Sequence, residues 1–266
     1  MSIAKTFFKS NLMKNILSLL LLAASSTFAQ ENYSRSFEAQ GVNKIEITFD
    51  YPQLVMLKTW NKTEVKIEGN VNINNHTEDD AFKLKGRKSG NYLSIDGSIE
   101  DIHTLASYEK YYDYDKDEKE EGKDEKGVFT NQEGLKQMST PKKKRKYKSY
   151  GPDIDISLVV YLPENTNVQI EVTYGLIEVN GFLANLVANS PYTGVDIVVP
   201  KDGYKKLEAH TQFGEILTNL TEKPVNKQGS DDIGEWSTVV YTGKNVYTAE
   251  IKSQYGKVYL RKQQSN

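Results

Sequence analysis

Residues 168–179 read VQIEVTYGLIEV, and the arrangement of side chains in this stretch decides the fold. Apolar residues alternate with polar ones on both sides of a central aromatic residue: Val168, Ile170, Val172, then Tyr174, then Ile177 and Val179. Alternation with period two is typical of a strand that is buried on one face. The step of three residues after Tyr174 would turn the second strand inside out unless the chain bends there. The stretch therefore predicts a strand, a sharp bend and a second strand.

The same frame returns three times in the following residues. The matching positions are Tyr174, Gly175 and Ile177; Tyr192 and Val195; Phe213, Gly214 and Ile216; and Tyr255, Gly256 and Val258. The residues two, four and six positions before each aromatic are small or apolar in all four copies, which predicts that they face inward together with the aromatic. Three of the bends carry glycine directly after the aromatic, as expected where positive φ is needed.

Repeats of roughly twenty residues indicate stacked supersecondary units. The last interval, from Phe213 to Tyr255, is about twice the others, and Trp236 fits the second half of the frame as a degenerate unit. Residues 35–99 also alternate with period two and predict short antiparallel strands. The predicted fold is all-β, with antiparallel N-terminal strands leading into a β-solenoid-like stack. The alternative is a β-sandwich.

The N-terminus predicts export. Lys5, Lys9 and Lys14 precede an apolar run at 16–24 and small residues up to Ala29, the layout of a secretory signal peptide. Cleavage after Ala29 would change the formal net charge from -2 to -5, because three lysines and no acid are removed. The expected location is the periplasm, the cell surface or the extracellular space. After cleavage, no further stretch is apolar enough to span a membrane.

The absence of cysteine excludes several kinds of chemistry. Disulfides, thiolate metal sites, cysteine nucleophiles and a lipid anchor through Cys all need a residue that this chain lacks. The mildly acidic charge argues against general nucleic-acid binding, which requires a basic surface. The expected chain is divided into a signal peptide (1–29), an N-terminal β region (30–102), an insert (103–151) and a C-terminal repeat region (152–266).

The insert is set apart by its charge. An acidic tract at 113–125 precedes a basic run at 142–148, and few aliphatic residues lie between them. Such a segment buries too little apolar surface to offset its ordering entropy, so we expect disorder or mobility. Asp113, Asp115 and Asp117 imitate a calcium loop but lack its glycine and final glutamate, so solvated disorder is the favoured interpretation.

The repeats resemble a family of exported bacterial proteins, the putative-adhesin type of β-strand-repeat domain, which is of unknown function. The resemblance rests on residues 174–179, 213–216 and 253–260, and on residues 155–163 leading into 168–170. It covers most of residues 35–99 and 152–262. It implies a β-solenoid-like stack without established catalytic residues. The charged insert departs from the family pattern, so the resemblance says nothing of its role.

Few residues point to catalysis. His76, His103 and His210 are far apart, so no transition-metal site is expected, and no cofactor is implied. Glu178 and Asp196 occupy the same outward column of successive units, and paired carboxylates of this kind could run glycosidase chemistry.

The sequence thus favours a non-catalytic protein that acts by adhesin-like surface binding or as a cell-envelope scaffold. Its partner would be an envelope or extracellular polymer or protein. Outward Leu176, Leu217 and Tyr259 could add to a partner surface. Two alternatives stay open: a β-solenoid glycan-active enzyme, and an insert that binds an anionic envelope polymer.

Overall fold

The structure is a computed structural model that describes residues 33–114, 145–182, 184–228 and 236–263. The strands of this part are β1 (Tyr33–Glu38), β2 (Lys44–Phe49), β3 (Leu54–Trp60), β4 (Glu64–Ile73), β5 (Phe82–Ser89), β6 (Tyr92–Ile99), β7 (Tyr108–Tyr114), β8 (Arg145–Gly151), β9 (Ile154–Pro163), β10 (Asn167–Val172), β11 (Leu176–Asn180), β12 (Asn185–Asn189), β13 (Gly194–Val199), β14 (Lys206–Thr211), β15 (Ile216–Thr218), β16 (Asn226–Gln228), β17 (Ser237–Tyr241), β18 (Thr248–Ser253) and β19 (Lys257–Lys262). Two 3-10 turns, Asp79–Ala81 and Ile102–Thr104, are the helical elements of the described residues.

Two mixed sheets hold nearly all of these strands. The eight-stranded sheet has the order β1-β4-β9-β3-β11-β13-β19-β15, and the nine-stranded sheet has the order β16-β17-β14-β18-β12-β10-β2-β6-β5. Apolar side chains from both sheets form one core, in which Ile45 and Ile47 of β2 lie with Val55 and Leu57 of β3. The all-β prediction is confirmed, and the two-sheet arrangement fits the sandwich alternative.

The predicted bend connects the two sheets. Each unit, called here a corner unit, consists of a strand of the nine-stranded sheet, a bend and a strand of the eight-stranded sheet. The corner units are β2–β3, β10–β11, β12–β13, β14–β15 and β18–β19, and neighbouring units pair in parallel. All twelve side chains predicted to face inward before the four bends are buried: Val168, Ile170, Val172, Leu186, Ala188, Ser190, Leu207, Ala209, Thr211, Ala249, Ile251 and Ser253.

The corner units do not stack in chain order, so a regular solenoid is not what forms. Unit β18–β19 lies between β12–β13 and β14–β15. The reason is that β17 pairs antiparallel with the outer edge of β14, which leaves only the inner edge for the returning β18. Trp236 precedes β17, which pairs antiparallel with β14 and β16 and is not followed by a strand of the eight-stranded sheet, so the interpretation of this stretch as a degenerate corner unit is wrong.

The N-terminal strands also differ from the prediction. β1 with β4 and β5 with β6 are antiparallel as expected. However, β2 pairs in parallel with β6 and β10, and β3 in parallel with β9 and β11. The short alternating stretches could not distinguish these pairings, because alternation reports burial of one face and not strand direction. Strands of the predicted N-terminal and C-terminal regions therefore share both sheets.

The ends of the predicted insert are strands. β7 and β8 form an antiparallel ladder from Tyr108 opposite Gly151 to Tyr114 opposite Arg145. Residues 115–144, with most of the acidic tract and the start of the basic run, lie outside the described residues. The predicted signal peptide lies outside them as well.

Tyr204 is the largest buried polar side chain in the core. Its ring is 1% exposed, and its hydroxyl finds no hydrogen-bond partner among the described residues. Burial raises the pKa of this phenol far above its usual range, so the group stays neutral. An unpaired buried hydroxyl loses its bonds to water and gains none in return.

We therefore expect Tyr204→Phe to raise the free energy of unfolding by about 1 kcal/mol. Tyr92→Phe is the matched control, because the Tyr92 hydroxyl donates to Glu46 at 2.7 Å. The control is expected to be neutral or slightly destabilising. Urea unfolding of both variants measures the difference, and a destabilised Tyr204→Phe protein would show that the hydroxyl has a partner.

Candidate binding surface

A column of five aromatic rings runs along the bends of the corner units. In spatial order it contains Tyr51, Tyr174, Tyr192, Tyr255 and Phe213. Successive ring centroids are 6.1, 5.2, 5.5 and 5.1 Å apart, and the rings are stacked with interplanar angles of 26°, 18°, 9° and 10°. This set of rings is called the aromatic column below.

Backbone hydrogen bonds between neighbouring bends hold the column in register. The Tyr174 N–H donates to the carbonyl of Asp50 at 3.1 Å, the Tyr255 N–H to Pro191 at 2.8 Å and the Phe213 N–H to Gln254 at 2.7 Å. Each acceptor directly precedes the aromatic residue of the neighbouring unit. The rings therefore follow the spacing of parallel strands, which is ~4.8 Å.

The column rings face solvent, contrary to the prediction that they point inward. Tyr174 is 55% exposed, Tyr192 53%, Phe213 48% and Tyr255 50%. The chain leaves one sheet and enters the other at this point, so the side chain at the bend lies on the rim of the core. The small residues that precede it, such as Ser190 and Thr211, take the buried position.

Buried hydroxyls on the inner side of the bends join one unit to the next. Ser190 Oγ donates to the Gly175 carbonyl at 2.7 Å and accepts the Gly194 N–H at 2.9 Å. Thr211 Oγ1 donates to the Gly256 carbonyl at 3.2 Å. The bends thus satisfy their polar backbone groups inside the core, which leaves the aromatic residues free to lie outside.

Glycine is needed at the bends for a different reason from the predicted one. Positive φ occurs at Gly194, with φ of +136°, but not at Gly175, Gly214 or Gly256. A Cβ at Gly175 would lie 1.8 Å from the Pro52 carbonyl oxygen, and one at Gly214 would lie 1.9 Å from that of Gly256. The close approach of stacked backbones therefore excludes a side chain at these positions.

Tyr51 belongs to the column but was missed by the sequence analysis. Its bend has one extra residue, so that Val55 rather than position 54 pairs with Ile177. The available signal was the alternation of Ile45, Ile47 and Phe49 before Tyr51, which matches the residues before Tyr174. The longer bend hides the frame, because the other bends have a step of three residues and this one has a step of four.

The polar groups around the column are largely neutral. Gln254 Nε2 donates to Gln212 Oε1 at 2.9 Å, and Thr193 Oγ1 donates to the Tyr174 carbonyl at 3.0 Å. Lys257 is paired with Glu215 at 3.0 Å. At the far end, burial and then the neighbouring Asp50 carboxylate raise the pKa of Tyr51.

The outward carboxylates Glu178 and Asp196 are paired in register on the eight-stranded sheet. Arg261 Nε donates to Asp196 at 2.6 Å, so this carboxylate forms an ion pair. Tyr259 and Leu217 continue the same row, and the Leu217 side chain is 41% exposed. Leu176 lies at the start of β11, opposite Leu54 and Gly194.

The other features of the described residues give weaker support for a functional site. Within the described residues, no group of three His, Asp or Glu side chains could hold a metal ion. A cavity of about 890 Å³ lies where β13 and β19 end, and Tyr204, Lys201, Lys244 and Lys262 are among its lining residues. No helix of the described chain has the length and apolar character that crossing a membrane demands.

His210 is half-buried on the nine-stranded sheet, with Nδ1 3.0 Å from Thr238 Oγ1. Burial lowers the pKa of the imidazole, against the nearby Glu250 carboxylate, which raises it. The fold thus favours the neutral ring. The part of the folding stability that depends on a neutral His210 ring is fully present above the pKa of histidine in the unfolded chain, ~6.5. It is lost as the pH falls through the lower pKa of the folded state.

We expect the free energy of unfolding to fall more steeply between about pH 7.5 and pH 5 in the wild type than in His210→Gln. Urea unfolding at several pH values gives both curves, and their difference removes the effects of His76 and His103. Parallel curves would contradict the assignment.

No protein-family model matches the chain, and no curated protein matches it. Among solved structures, a crystal structure of a putative cell adhesion protein from Clostridium sporogenes is similar to it. The similarity covers 88% of this chain and 100% of that one, with 9% sequence identity and a TM-score of 0.44.

Proposed function

We propose that this chain is an exported, non-catalytic β-repeat protein that acts by adhesin-like surface binding or as a cell-envelope scaffold, with the aromatic column as its binding surface. The supporting observation is the column itself. Four of its rings are about half exposed, and they follow one another without a gap.

Stacking stabilises the rings against one another, but the half of each ring that stays in water adds no stabilisation. A buried aromatic side chain contributes more than one that is half in water, since the apolar area left in water gives no stabilisation. Contiguous exposed apolar surface marks interaction sites on proteins that otherwise hide such surface. Tyrosine also suits recognition, because it offers an apolar body with a polar tip.

A binding assay of the purified full chain on immobilised cell-envelope and extracellular-matrix preparations tests this proposal. We expect Tyr192→Ala to weaken binding at least tenfold, because it removes the middle of the column. Tyr259→Ala, on the outer face of the eight-stranded sheet, is the matched control and should bind like the wild type. Equal binding by both variants, with both shown to be folded by circular dichroism, would reject the column as the binding surface.

Export is a separate part of the proposal. Cell fractionation followed by N-terminal sequencing is expected to find the protein outside the cytoplasm, beginning at Gln30. A cytoplasmic protein that keeps Met1 would refute it.

The glycan-active enzyme is the less favoured alternative, because Arg261 occupies the Asp196 carboxylate that it needs. Loss of polysaccharide turnover in Glu178→Gln would nevertheless establish it. The alternative based on the insert concerns residues outside the described ones, and unchanged binding after deletion of residues 105–150 would reject it.

A further inference from the structure

We propose that the aromatic column binds a linear, uncharged polysaccharide whose sugar units step along the tyrosine hydroxyls. This inference rests on the proposed function and names the ligand class of the same surface. Three properties of the column carry it: its free hydroxyl groups, its spacing and its neutral surroundings.

The hydroxyl groups of the column are available to a ligand. Among the described residues, none forms a hydrogen bond with the phenol oxygens of Tyr51, Tyr174, Tyr192 or Tyr255, although other tyrosine hydroxyls, such as that of Tyr92, are engaged. Each phenol offers one donor and acceptor lone pairs. Because stacking covers the ring faces, the ring edges and the hydroxyls are what a ligand meets. A polyhydroxylated chain satisfies these groups.

The spacing of the column favours a glycan over a peptide. Neighbouring tyrosine rings are 5.2–6.1 Å apart. An extended peptide rises ~3.3 Å per residue and so repeats its side chains on one face every ~6.6 Å, which falls out of step along the column. An extended glycan chain advances by one sugar ring over a distance comparable with the strand spacing, so each tyrosine lies beside one sugar unit.

The charges around the column disfavour a polyanion. Binding a polyanion requires a row of unpaired cations. Beside the column, Gln212, Gln254 and Thr193 provide neutral amide and hydroxyl groups, and Lys257 is neutralised by Glu215. The Asp50 carboxylate at the Tyr51 end would repel an acidic polymer.

The test is isothermal titration of the full chain with water-soluble unbranched β-glucans, α-glucans, an acidic polysaccharide and an extended peptide. We expect a neutral glucan to bind, with an affinity that barely changes between low and high salt. The triple variant Tyr174→Phe, Tyr192→Phe, Tyr255→Phe keeps the rings and removes three hydroxyls, so its affinity should fall roughly 10- to 100-fold.

Two further variants sharpen the test. Phe213→Tyr adds a hydroxyl at the end of the column and should increase affinity severalfold, whereas Tyr259→Phe, away from the column, should change nothing. If no neutral glucan binds, or if the triple variant binds as well as the wild type, the inference is wrong. If an acidic polymer or a peptide binds instead and Tyr192→Ala abolishes that binding, the inference fails while the proposed function stands.

Discussion

Gly256→Ala is expected to lower the free energy of unfolding by about 3 kcal/mol, at the upper end of what overpacking costs. A Cβ at this position would lie 2.0 Å from the Thr193 carbonyl oxygen, 2.2 Å from its carbon and 2.6 Å from the Gly194 nitrogen. All three are backbone atoms, so no side-chain rotation relieves the clash. The two neighbouring bends would have to separate, and the stacked rings of Tyr192 and Tyr255 would separate with them.

Gly151→Ala is the control for this substitution. Nothing lies within 4 Å of a Cβ built at Gly151, and its φ is not positive. We expect the control to stay within about 0.5 kcal/mol of the wild type in urea unfolding. If Gly256→Ala were as stable as Gly151→Ala, the close approach of the bends would be refuted.

Ile251→Ala is expected to lower the free energy of unfolding by about 4 kcal/mol, within the usual range for this truncation. Ile251 is completely buried in β18, and its partners in the neighbouring strands are Ala188 and Ala209. Ile251 is therefore the large side chain among these three aligned positions of the nine-stranded sheet. Three alanines in a row leave a cavity that rigid parallel strands cannot close.

A graded series distinguishes loss of packing from a general intolerance of substitution. Ile251→Val should cost about 1 kcal/mol, because it removes one methyl group. The measurement is again urea unfolding, with the slope m compared between variants to confirm that the transition remains of the same kind. A loss below about 1 kcal/mol for Ile251→Ala would mean that β18 does not lie in the core between β12 and β14.

The sequence predicted the strand, bend and strand of four of the five corner units. Alternation placed Ile170, Ile177 and Val258 correctly in the core, because burial of one face of a strand leaves a period of two in the sequence. It also located four of the five bends, since the change of step marks where the chain passes between the sheets, whereas the longer bend at Tyr51 was missed.

The order of the units could not be predicted in the same way. The corner units share the same alternation of apolar and polar residues, so this pattern does not show which units are neighbours. Nothing in residues 248–262 therefore indicated that β18–β19 lies between two earlier units. The decisive contact is the antiparallel pairing of β17 with β14, which joins residues distant in sequence. Such pairing depends on tertiary structure rather than on local periodicity.

The binding surface was only partly visible in the sequence. The aromatics at 174, 192, 213 and 255 are recognisable as a repeat, but the prediction that they point inward is wrong. The alternation of apolar residues runs up to each aromatic, so the pattern does not show that this residue lies at the rim of the core. Because the rings are half exposed and stacked, they form a surface that a ligand can contact. Rings inside the core would contribute only to packing.

Protection of the column tyrosines from chemical nitration is the most direct test of the aromatic column as a glycan-binding surface. Nitration of each tyrosine is quantified by mass spectrometry of the full chain, with and without a saturating water-soluble unbranched β-glucan. We expect Tyr174, Tyr192 and Tyr255 to become several-fold less reactive in the complex. Tyr150, which is 71% exposed and lies in β8, should react equally in both states. Column tyrosines that are nitrated as readily with the glucan as without it would contradict glycan binding at the column.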